Sequence, residues 1–350
     1  MAKRAHRPIV GIDLGGTNIN VGIVDHGLGV VAGSRVNKKT QAAQGVTVVL
    51  DRIAAAVRES LDGAGLGTRE VASIGIAAAG AVDAARGVVL KGGNLGFTNV
   101  PLAAQLTRRL GPRVLVENDV NAAVYGEWVH PRGAIAGAKD ALGVWIGTGV
   151  GGGLVLSGKL YSGGFFTAGE IGHTSLLPGA PLGRRSLEQN CSRTAISDRL
   201  LALIASGHAS MLRDMVEKEK QGLLAKARKD LREKGRLTWQ FEGNKILRSK
   251  NIADAYRKGD ELTHRVVHEA AEMLGTAIAG AVTLLSLPHV VLGGGFTEAI
   301  GEPWVRAVRM ATRERAFPPE CRKVEVVGTK LKDQAGIIGA ALLARDAGKR

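Results

Sequence analysis

The sequence predicts an α/β protein of two lobes, and two glycine-rich hairpins carry this prediction. In the first, a strand over residues 9–14 enters a glycine turn at 15–18, and a second strand follows. In the second, an apolar run over 142–146 enters a turn at 147–149. Glycine lets several backbone N–H groups converge on an anion. Two such turns, far apart in the chain, predict two related lobes that each present a phosphate-binding turn to a shared cleft.

The second hairpin also fits other interpretations. The spacing Gly147-x-Gly149-x-x-Gly152 matches the dinucleotide-binding fingerprint, which requires a helix directly after the glycines. Residues 154–160 instead predict a second strand that a Ser-Gly turn closes. A Rossmann site and a hairpin without a ligand are therefore minor alternatives.

A polar triplet marks a second candidate site. Residues 113–116 predict a strand that ends in Glu117-Asn118-Asp119, and residues 120–128 predict a helix. Open α/β sheets usually bind ligands at the carboxyl ends of their strands. The alternative is that Asn118 or Asp119 only caps the helix. A third glycine turn, at 293–295, follows a predicted strand and suits a contact with adenine or ribose.

Composition limits the class of protein. The 350 residues are enough for two domains, and 45% apolar with 23% charged residues is typical of a soluble globular protein. No run has transmembrane length and no signal peptide follows Met1, so we expect a cytoplasmic protein without a membrane partner. Cys191 and Cys321 form neither a metal-binding spacing nor a disulfide framework.

The formal charge of +15 is concentrated in a predicted basic helical insert at about 205–260. Nucleic acid or a polyphosphate donor could explain the lysines and arginines at 218–236. Acidic residues alternate with them, however, which favours a solvated helix face. We therefore do not expect a nucleic-acid partner. The basic tail at 1–8 is too short for a helix-turn-helix.

In combination, five motifs resemble the ROK family of bacterial sugar kinases and repressors, in its glucokinase-like branch. They are DLGGTN at 13–18, ENDVNAA at 117–123, GTGVGGG at 147–153, AGEIGH at 168–173 and LGGG at 292–295. The resemblance implies an actin-like, hexokinase-like ATPase (ribonuclease H-like) fold with a cleft between the lobes. It places the N-terminal lobe at 1–119, completed by a helix at about 334–347, and the C-terminal lobe at 120–333.

The resemblance also implies a phosphotransferase of carbohydrate metabolism that converts a hexose, in the first place glucose to glucose 6-phosphate in glycolysis, using ATP and Mg²⁺. Asp119 would be the catalytic base, and Asp13 would face the Mg²⁺ through water. The implied sugar-binding residues are Asn94, Asn118, Asp119, Glu170, His173 and Glu188. The implied ATP-binding residues are Asp13, Gly15, Gly16, Thr17, Asn18, Thr148, Gly149, Gly151, Gly294 and Gly295. A homodimer is also expected.

One departure from the family concerns zinc. Most members bind zinc through the histidine that corresponds to His173 and three cysteines, but Gly179, Pro181 and Ser186 stand at the three cysteine positions. One histidine cannot form a tetrahedral site. We therefore expect no structural zinc, with the loop held by packing or by Arg184 and Arg185.

Other functions remain open from the sequence. The acceptor could be N-acetylmannosamine, fructose, mannose or allose, and the donor could be polyphosphate. A hypothesis of another class is a sugar-sensing transcriptional regulator without catalysis. Repressors of the family carry an N-terminal DNA-binding domain, whereas here the first strand begins at about residue 9 and the base Asp119 is present.

Overall fold

The computed structural model describes residues 7–234 and 246–347. Residues 1–6 of the predicted basic tail and 235–245 of the predicted insert, Arg236 among them, lie outside the described residues. The chain forms two compact units. The first comprises Met1–Gly143, Gly152–Gly169 and Thr329–Arg350, and the second comprises Val144–Gly151 and Glu170–Gly328. The predicted lobe boundaries at residues 119 and 333 stay a prediction.

Strands and helices alternate along the chain, as the α/β prediction requires. The strands are β1 Ile9–Leu14, β2 Asn18–Val24, β3 Val36–Lys39, β4 Ile74–Ala78, β5 Ala81–Asp83, β6 Val88–Gly92, β7 Phe97–Val100, β8 Val114–Asn118, β9 Ala141–Ile146, β10 Val150–Leu156, β11 Lys159–Tyr161, β12 His289–Gly293 and β13 Glu325–Gly328. The helices are α1 Val46–Gly63, α2 Leu102–Leu110, α3 Asp119–Val129, α4 Glu188–Cys191, α5 Arg193–Ala205, α6 Arg213–Lys234, α7 Ser249–Arg257, α8 Glu261–Leu285, α9 Gly295–Ile300, α10 Glu302–Arg315 and α11 Ala335–Ala347.

The first unit is built on a sheet with the strand order β3-β2-β1-β4-β8. β1 and β2 form the predicted antiparallel hairpin, and β4 and β8 continue the sheet in parallel with β1. On α1, the buried side chains Val49, Ile53 and Val57 recur every four residues and join the same core as the strands. The carboxyl ends of β1, β4 and β8 therefore meet at one edge of the sheet.

Helix α11 lies close to this sheet and to α3 because glycines leave room for it. A Cβ on Gly75 of β4 would lie 1.9 Å from the carbonyl oxygen of Ala340. A Cβ on Gly339 would lie 1.7 Å from the carbonyl oxygen of Ala122 in α3. Neither distance can be tolerated, so both positions require glycine. This close packing fixes α3, which begins at Asp119.

A small antiparallel sheet, β5-β6-β7, completes the first unit. The sequence analysis did not identify these three strands. The 3₁₀ turn Gly93–Leu95 connects β6 to β7, and Phe97, which is 1% exposed, begins β7. The turn carries Asn94 on its exposed surface.

The second unit is rich in helices. Its long helix α8 is predicted correctly, and the side chain of Asp260 caps it by accepting a hydrogen bond from the Thr263 N–H. The second five-stranded sheet has the order β11-β10-β9-β12-β13, with β12 and β13 parallel. Helices α6 and α7 lie in the described part of the predicted insert. None of the helices in 7–234 and 246–347 combines the length and apolar character that a membrane crossing requires.

Candidate active site

In the first unit, Asp119 follows β8 directly and is the first residue of α3. Asp13 lies near the end of β1 and is paired with Ala77 of β4, which in turn is paired with Glu117 of β8. The structure therefore brings Asp13 and Asp119 together at one edge of the sheet, although 106 positions separate them in the sequence.

The negative charge of Asp119 acts on the Asp13 carboxyl. Burial first, and then the negative charge of Asp119, raise the pKa of the Asp13 carboxyl to about 6, although a hydrogen bond from Asn20 lowers it. The Asn20 amide donates that bond over 3.2 Å. Two neighbouring carboxyl groups repel each other when both are ionised. A divalent cation would relieve this repulsion, and Mg²⁺ usually takes one or two carboxylates with water and substrate phosphates.

Both the oxygen and the nitrogen of the Asn118 side-chain amide form hydrogen bonds within the protein. Its Oδ1 accepts a hydrogen bond of 2.9 Å from the Asn121 N–H and so caps α3. Its Nδ2 donates to the Gly80 carbonyl over 2.9 Å, at the entrance to β5. The capping interpretation thus applies to Asn118 in this structure. A second role toward sugar stays a prediction.

Glu117 accepts hydrogen bonds from Asn118 and Asn121, and the sequence analysis gave it no role. Its Oε1 accepts hydrogen bonds from the Asn118 N–H at 2.9 Å and from the Asn121 amide at 3.1 Å. Burial raises its pKa, and the two hydrogen bonds lower it. A carboxylate at the buried end of a strand, directly before a candidate base, is the signal that could have identified it.

The first glycine turn packs against the loop that carries Asn94. A Cβ on Gly16 would lie 2.6 Å from both the Cβ and the carbonyl oxygen of Asn94. The Gly15 N–H donates to the Asn18 carbonyl at 3.0 Å, which closes the turn, and Thr17 is exposed at its tip. The structure therefore brings a predicted sugar-binding residue next to the predicted ATP-binding turn.

In the second unit, Glu188 lies against the second glycine turn. Its Oε2 accepts a 2.9 Å hydrogen bond from the Val150 N–H, and a Cβ on Gly149 would lie 2.2 Å from the same oxygen. Gly149 is therefore necessary for this close approach. Gly151 follows on β10, where it is half-buried.

Glu170, His173 and Glu188 form one cluster in the second unit. His173 Nε2 lies 4.0 Å from Glu170 Oε2. Burial raises the pKa of Glu170, His173 lowers it, and the nearby charge of Glu188 raises it. The cluster presents carboxylates and an exposed imidazole, groups that are suited to hydrogen bonds with hydroxyl groups.

The third glycine turn lies beside the end of β9, which leads into the second turn. Gly294 has φ 89° and a Cβ there would lie 2.5 Å from the Ile146 carbonyl oxygen. Gly295 begins α9. Three predicted ATP-binding residues therefore follow the ends of two strands: Thr148 follows β9, and Gly294 and Gly295 follow β12.

The loop between His173 and Glu188 is organised by side-chain amides. The Gln189 Oε1 accepts hydrogen bonds from the N–H groups of Arg185 and Ser186. The Asn190 amide donates to the carbonyls of Arg184 and Ser186 at 2.9 and 2.8 Å. The Arg185 Nε donates to the Ala180 carbonyl at 2.8 Å, and the Arg184 N–H donates to the Pro181 carbonyl at 3.1 Å. That packing or Arg184 and Arg185 hold the loop stays a prediction.

Zinc does not fit the donors of this loop. Residues 174–187 contain no cysteine, histidine, aspartate or glutamate. In the part of the chain that the structure describes, no three such side chains are grouped closely enough to hold a metal ion. Independence from zinc stays a prediction, and the amide network gives it a physical basis.

Arg193 and Thr194 also contact the second glycine turn, and the sequence analysis did not select them. The Arg193 Nη2 donates to Thr148 Oγ1 at 3.1 Å, and the Thr194 hydroxyl donates to the Thr148 carbonyl at 2.7 Å. An arginine in a basic helical region carries no local signal that separates it from surface arginines.

The chain is similar over nearly its whole length to known proteins. The model of the ROK family matches residues 9–347. The glucokinase of Thermotoga maritima is 30% identical over 344 residues, which cover 97% of each chain. The glucokinase of Streptomyces coelicolor is 31% identical over 339 residues, 96% of this chain and 97% of its own. A crystal structure of a ROK family glucokinase from Streptomyces griseus with glucose and AMPPNP has a TM-score of 0.74 at 29% identity, covering 97% of this chain and 99% of that one.

Proposed function

Because this chain belongs to the ROK family and is a sugar kinase, we propose that it transfers the terminal phosphoryl group of ATP to the 6-hydroxyl of glucose. The predicted fold class, an α/β actin-like ATPase, is confirmed. The identity of the sugar and the roles of single residues belong to the proposal. Glucokinases of similar length at about 30% identity support glucose as the acceptor.

The observation that carries the proposal is the proximity of Asp119 and Asp13. Phosphoryl transfer needs a group that accepts the hydroxyl proton and a means of neutralising phosphate charge. Asp119, at the first position of α3, would accept the proton, since a carboxylate is stabilised at a helix N-terminus. Asp13 would meet the second need as part of the cation site.

In the proposed step, the sugar hydroxyl oxygen forms a bond to the γ-phosphorus while its proton passes to the Asp119 carboxylate. The bond from the γ-phosphorus to the bridging oxygen breaks, and ADP leaves with the electron pair. The transition state is loose, so the proton is transferred late and a weak base suffices.

The glycine turns would hold the phosphate chain. Backbone N–H groups near Gly16 and near Gly149 would donate hydrogen bonds to phosphate oxygens. Both positions require glycine, because a Cβ would collide with Asn94 at Gly16 and with Glu188 at Gly149. Gly294 and Gly295 would contact the adenosine.

Asp13 fits a magnesium site because its carboxyl is paired with a second carboxyl and a cation would stabilise both. When bound, Mg²⁺ would neutralise charge on the phosphate oxygens. The Asn20 amide, which donates to Asp13, would keep that carboxylate oriented.

Sugar recognition would use Asn94, Asn118, Glu170, His173 and Glu188. Each offers a hydrogen-bonding group at a strand end, at the start of a helix or in a short turn. Asp119 would accept from the reacting hydroxyl. Hydroxyl groups are both donors and acceptors, so a mixture of carboxylate, amide and imidazole groups is suited to them.

The proposal is tested by ADP release in a coupled assay with Mg-ATP and a panel of glucose, mannose, fructose, N-acetylmannosamine, N-acetylglucosamine and allose. We expect turnover to be fastest with glucose. A faster reaction with another hexose would correct the acceptor, and activity with polyphosphate in place of ATP would correct the donor. Glucose binding without turnover on any sugar would instead support a non-catalytic sensor.

A further inference from the structure

The N-terminal turn of α5 holds the second glycine turn at three points. The Arg193 N–H donates to the Gly147 carbonyl at 3.0 Å. Its guanidinium donates to Thr148 Oγ1 at 3.1 Å, and the Thr194 hydroxyl donates to the Thr148 carbonyl at 2.7 Å. The carbonyls at 147 and 148 are thus bonded to α5, and the guanidinium of Arg193 lies at the exposed Thr148 side chain.

We propose that Arg193 binds the phosphate chain of the nucleotide beyond the α-phosphate. This inference rests on the proposed function, in which the turn that contains Thr148 and Gly149 holds ATP phosphates. A guanidinium presents several N–H groups in a planar fork that matches two phosphate oxygens. One N–H group of Arg193 can stay on Thr148 while others face the phosphate.

The charge around Arg193 favours an anion. Arg193 is the first residue of α5, and the first turn of that helix contains no acidic residue. A cation at a helix N-terminus is unfavourable, because the helix dipole is positive there. Burial also lowers the pKa of Arg193, which Asp198 partly offsets. A bound phosphate would relieve both costs.

The negative charge of Glu188 disfavours an anion at this turn unless a cation offsets it. Its carboxylate accepts from the Val150 N–H and closely approaches Gly149. A phosphate that binds to the turn therefore also approaches a carboxylate, which repels it. The positive charge of Arg193 offsets that repulsion, and a neutral residue at position 193 would not.

The test compares nucleotide affinities of three variants by titration calorimetry. Arg193→Ala removes the guanidinium, and Arg193→Gln keeps a hydrogen-bond donor for Thr148 without the charge. Arg199→Ala is the matched control, since Arg199 lies on the same helix and pairs with Glu269. The probes are AMPPNP, ADP, AMP and glucose.

We expect both Arg193 variants to bind AMPPNP and ADP about 10- to 100-fold more weakly, as for the loss of hydrogen bonds to a charged group. Their affinities for AMP and glucose, and all affinities of Arg199→Ala, should be unchanged. A purely structural tether would leave Arg193→Gln normal or would weaken all four ligands alike, and either result would overturn the inference. Suppose that the unaltered protein binds AMPPNP and phosphorylates glucose with ATP, and that both Arg193 variants do so equally well. The inference about Arg193 would then fail, while the proposed function would stand. Absence of nucleotide binding by the unaltered protein would refute the proposed function as well.

Discussion

Replacing Asn190 by alanine should impair sugar use, because its amide holds the loop that ends at Glu188. The side chain donates two hydrogen bonds, to the carbonyls of Arg184 at 2.9 Å and Ser186 at 2.8 Å. A neutral hydrogen bond contributes about 0.5–1.5 kcal/mol, so the loss amounts to about 1–3 kcal/mol for the ordered loop. If the loop must be ordered to bind sugar, the KM for glucose rises by roughly 5- to 150-fold.

Asn190→Asp distinguishes donation from packing. It keeps the size of the side chain but places carboxylate oxygens against two carbonyls, so its KM for glucose should rise at least as much as that of Asn190→Ala. Asn251→Ala is the control, since Asn251 also bonds to backbone but at the start of α7. The coupled ADP-release assay measures KM and kcat for each. Normal KM values for glucose in both Asn190 variants would refute the role of the amide.

A zinc-selective chelator in excess Mg²⁺ extends the same test. Since amides rather than cysteines organise the loop, the chelator should change neither the KM for glucose nor the melting temperature of the unaltered protein. A loss of activity that added zinc restored would contradict this account of the loop.

Three further predictions concern stability and reactivity. Gly339→Ala should lower the free energy of unfolding by about 1–3 kcal/mol or more, measured by urea denaturation, because its Cβ would lie 1.7 Å from the Ala122 carbonyl oxygen. Asp260→Ala should cost about 1–2 kcal/mol at pH 7. Burial raises the pKa of Asp260, but hydrogen bonds from the Thr263 side chain and from other groups outweigh this and hold the pKa below its usual value. The stability it contributes is therefore complete above its unfolded pKa of about 3.9 and is lost as the pH falls through its native pKa, so the thermal stabilities of variant and parent should converge in acid. Finally, a thiol reagent should modify the partly exposed Cys321 in the native protein, but the buried Cys191 only after unfolding. The reason is that burial raises the pKa of the Cys191 thiol to about 12. Rapid reaction of two thiols in the native protein would contradict this prediction.

Long periodic elements were predictable from the sequence. Helix α8 was predicted with its observed bounds, Glu261–Leu285, because apolar residues recur with helical spacing over its 25 residues. The two glycine hairpins and the strand predicted at 113–116, which the structure shows at Val114–Asn118, were predictable because each combines an apolar run with a distinctive sequence at its end.

Short strands and side-chain networks were not predictable. Strands β5 to β7 have three to five residues each, and glycine at 92, 93 and 96 suggested only a loop. The loop after His173 depends on amides, which both accept from N–H groups and donate to carbonyls, whereas arginine can only donate. Arg193 acts through a contact over 45 positions, which no local pattern reveals.

Some predictions stay untested by this structure. They include the homodimer, the lobe boundaries and the interpretation of the basic insert. Within the described part of the insert, Lys220 pairs with Glu217 at 3.1 Å and Lys229 with Glu233 at 3.9 Å. These pairs support a solvated helix face.

The most direct test of the proposed mechanism compares Asp119→Asn with the unaltered protein for glucose turnover and glucose binding. Asparagine keeps the shape of the side chain but cannot accept the hydroxyl proton, so kcat should fall by about 10²- to 10⁴-fold. The glucose dissociation constant, measured by calorimetry on the same samples, should change little. Turnover that remained near the unaltered rate would show that Asp119 is not the base and would contradict the mechanism.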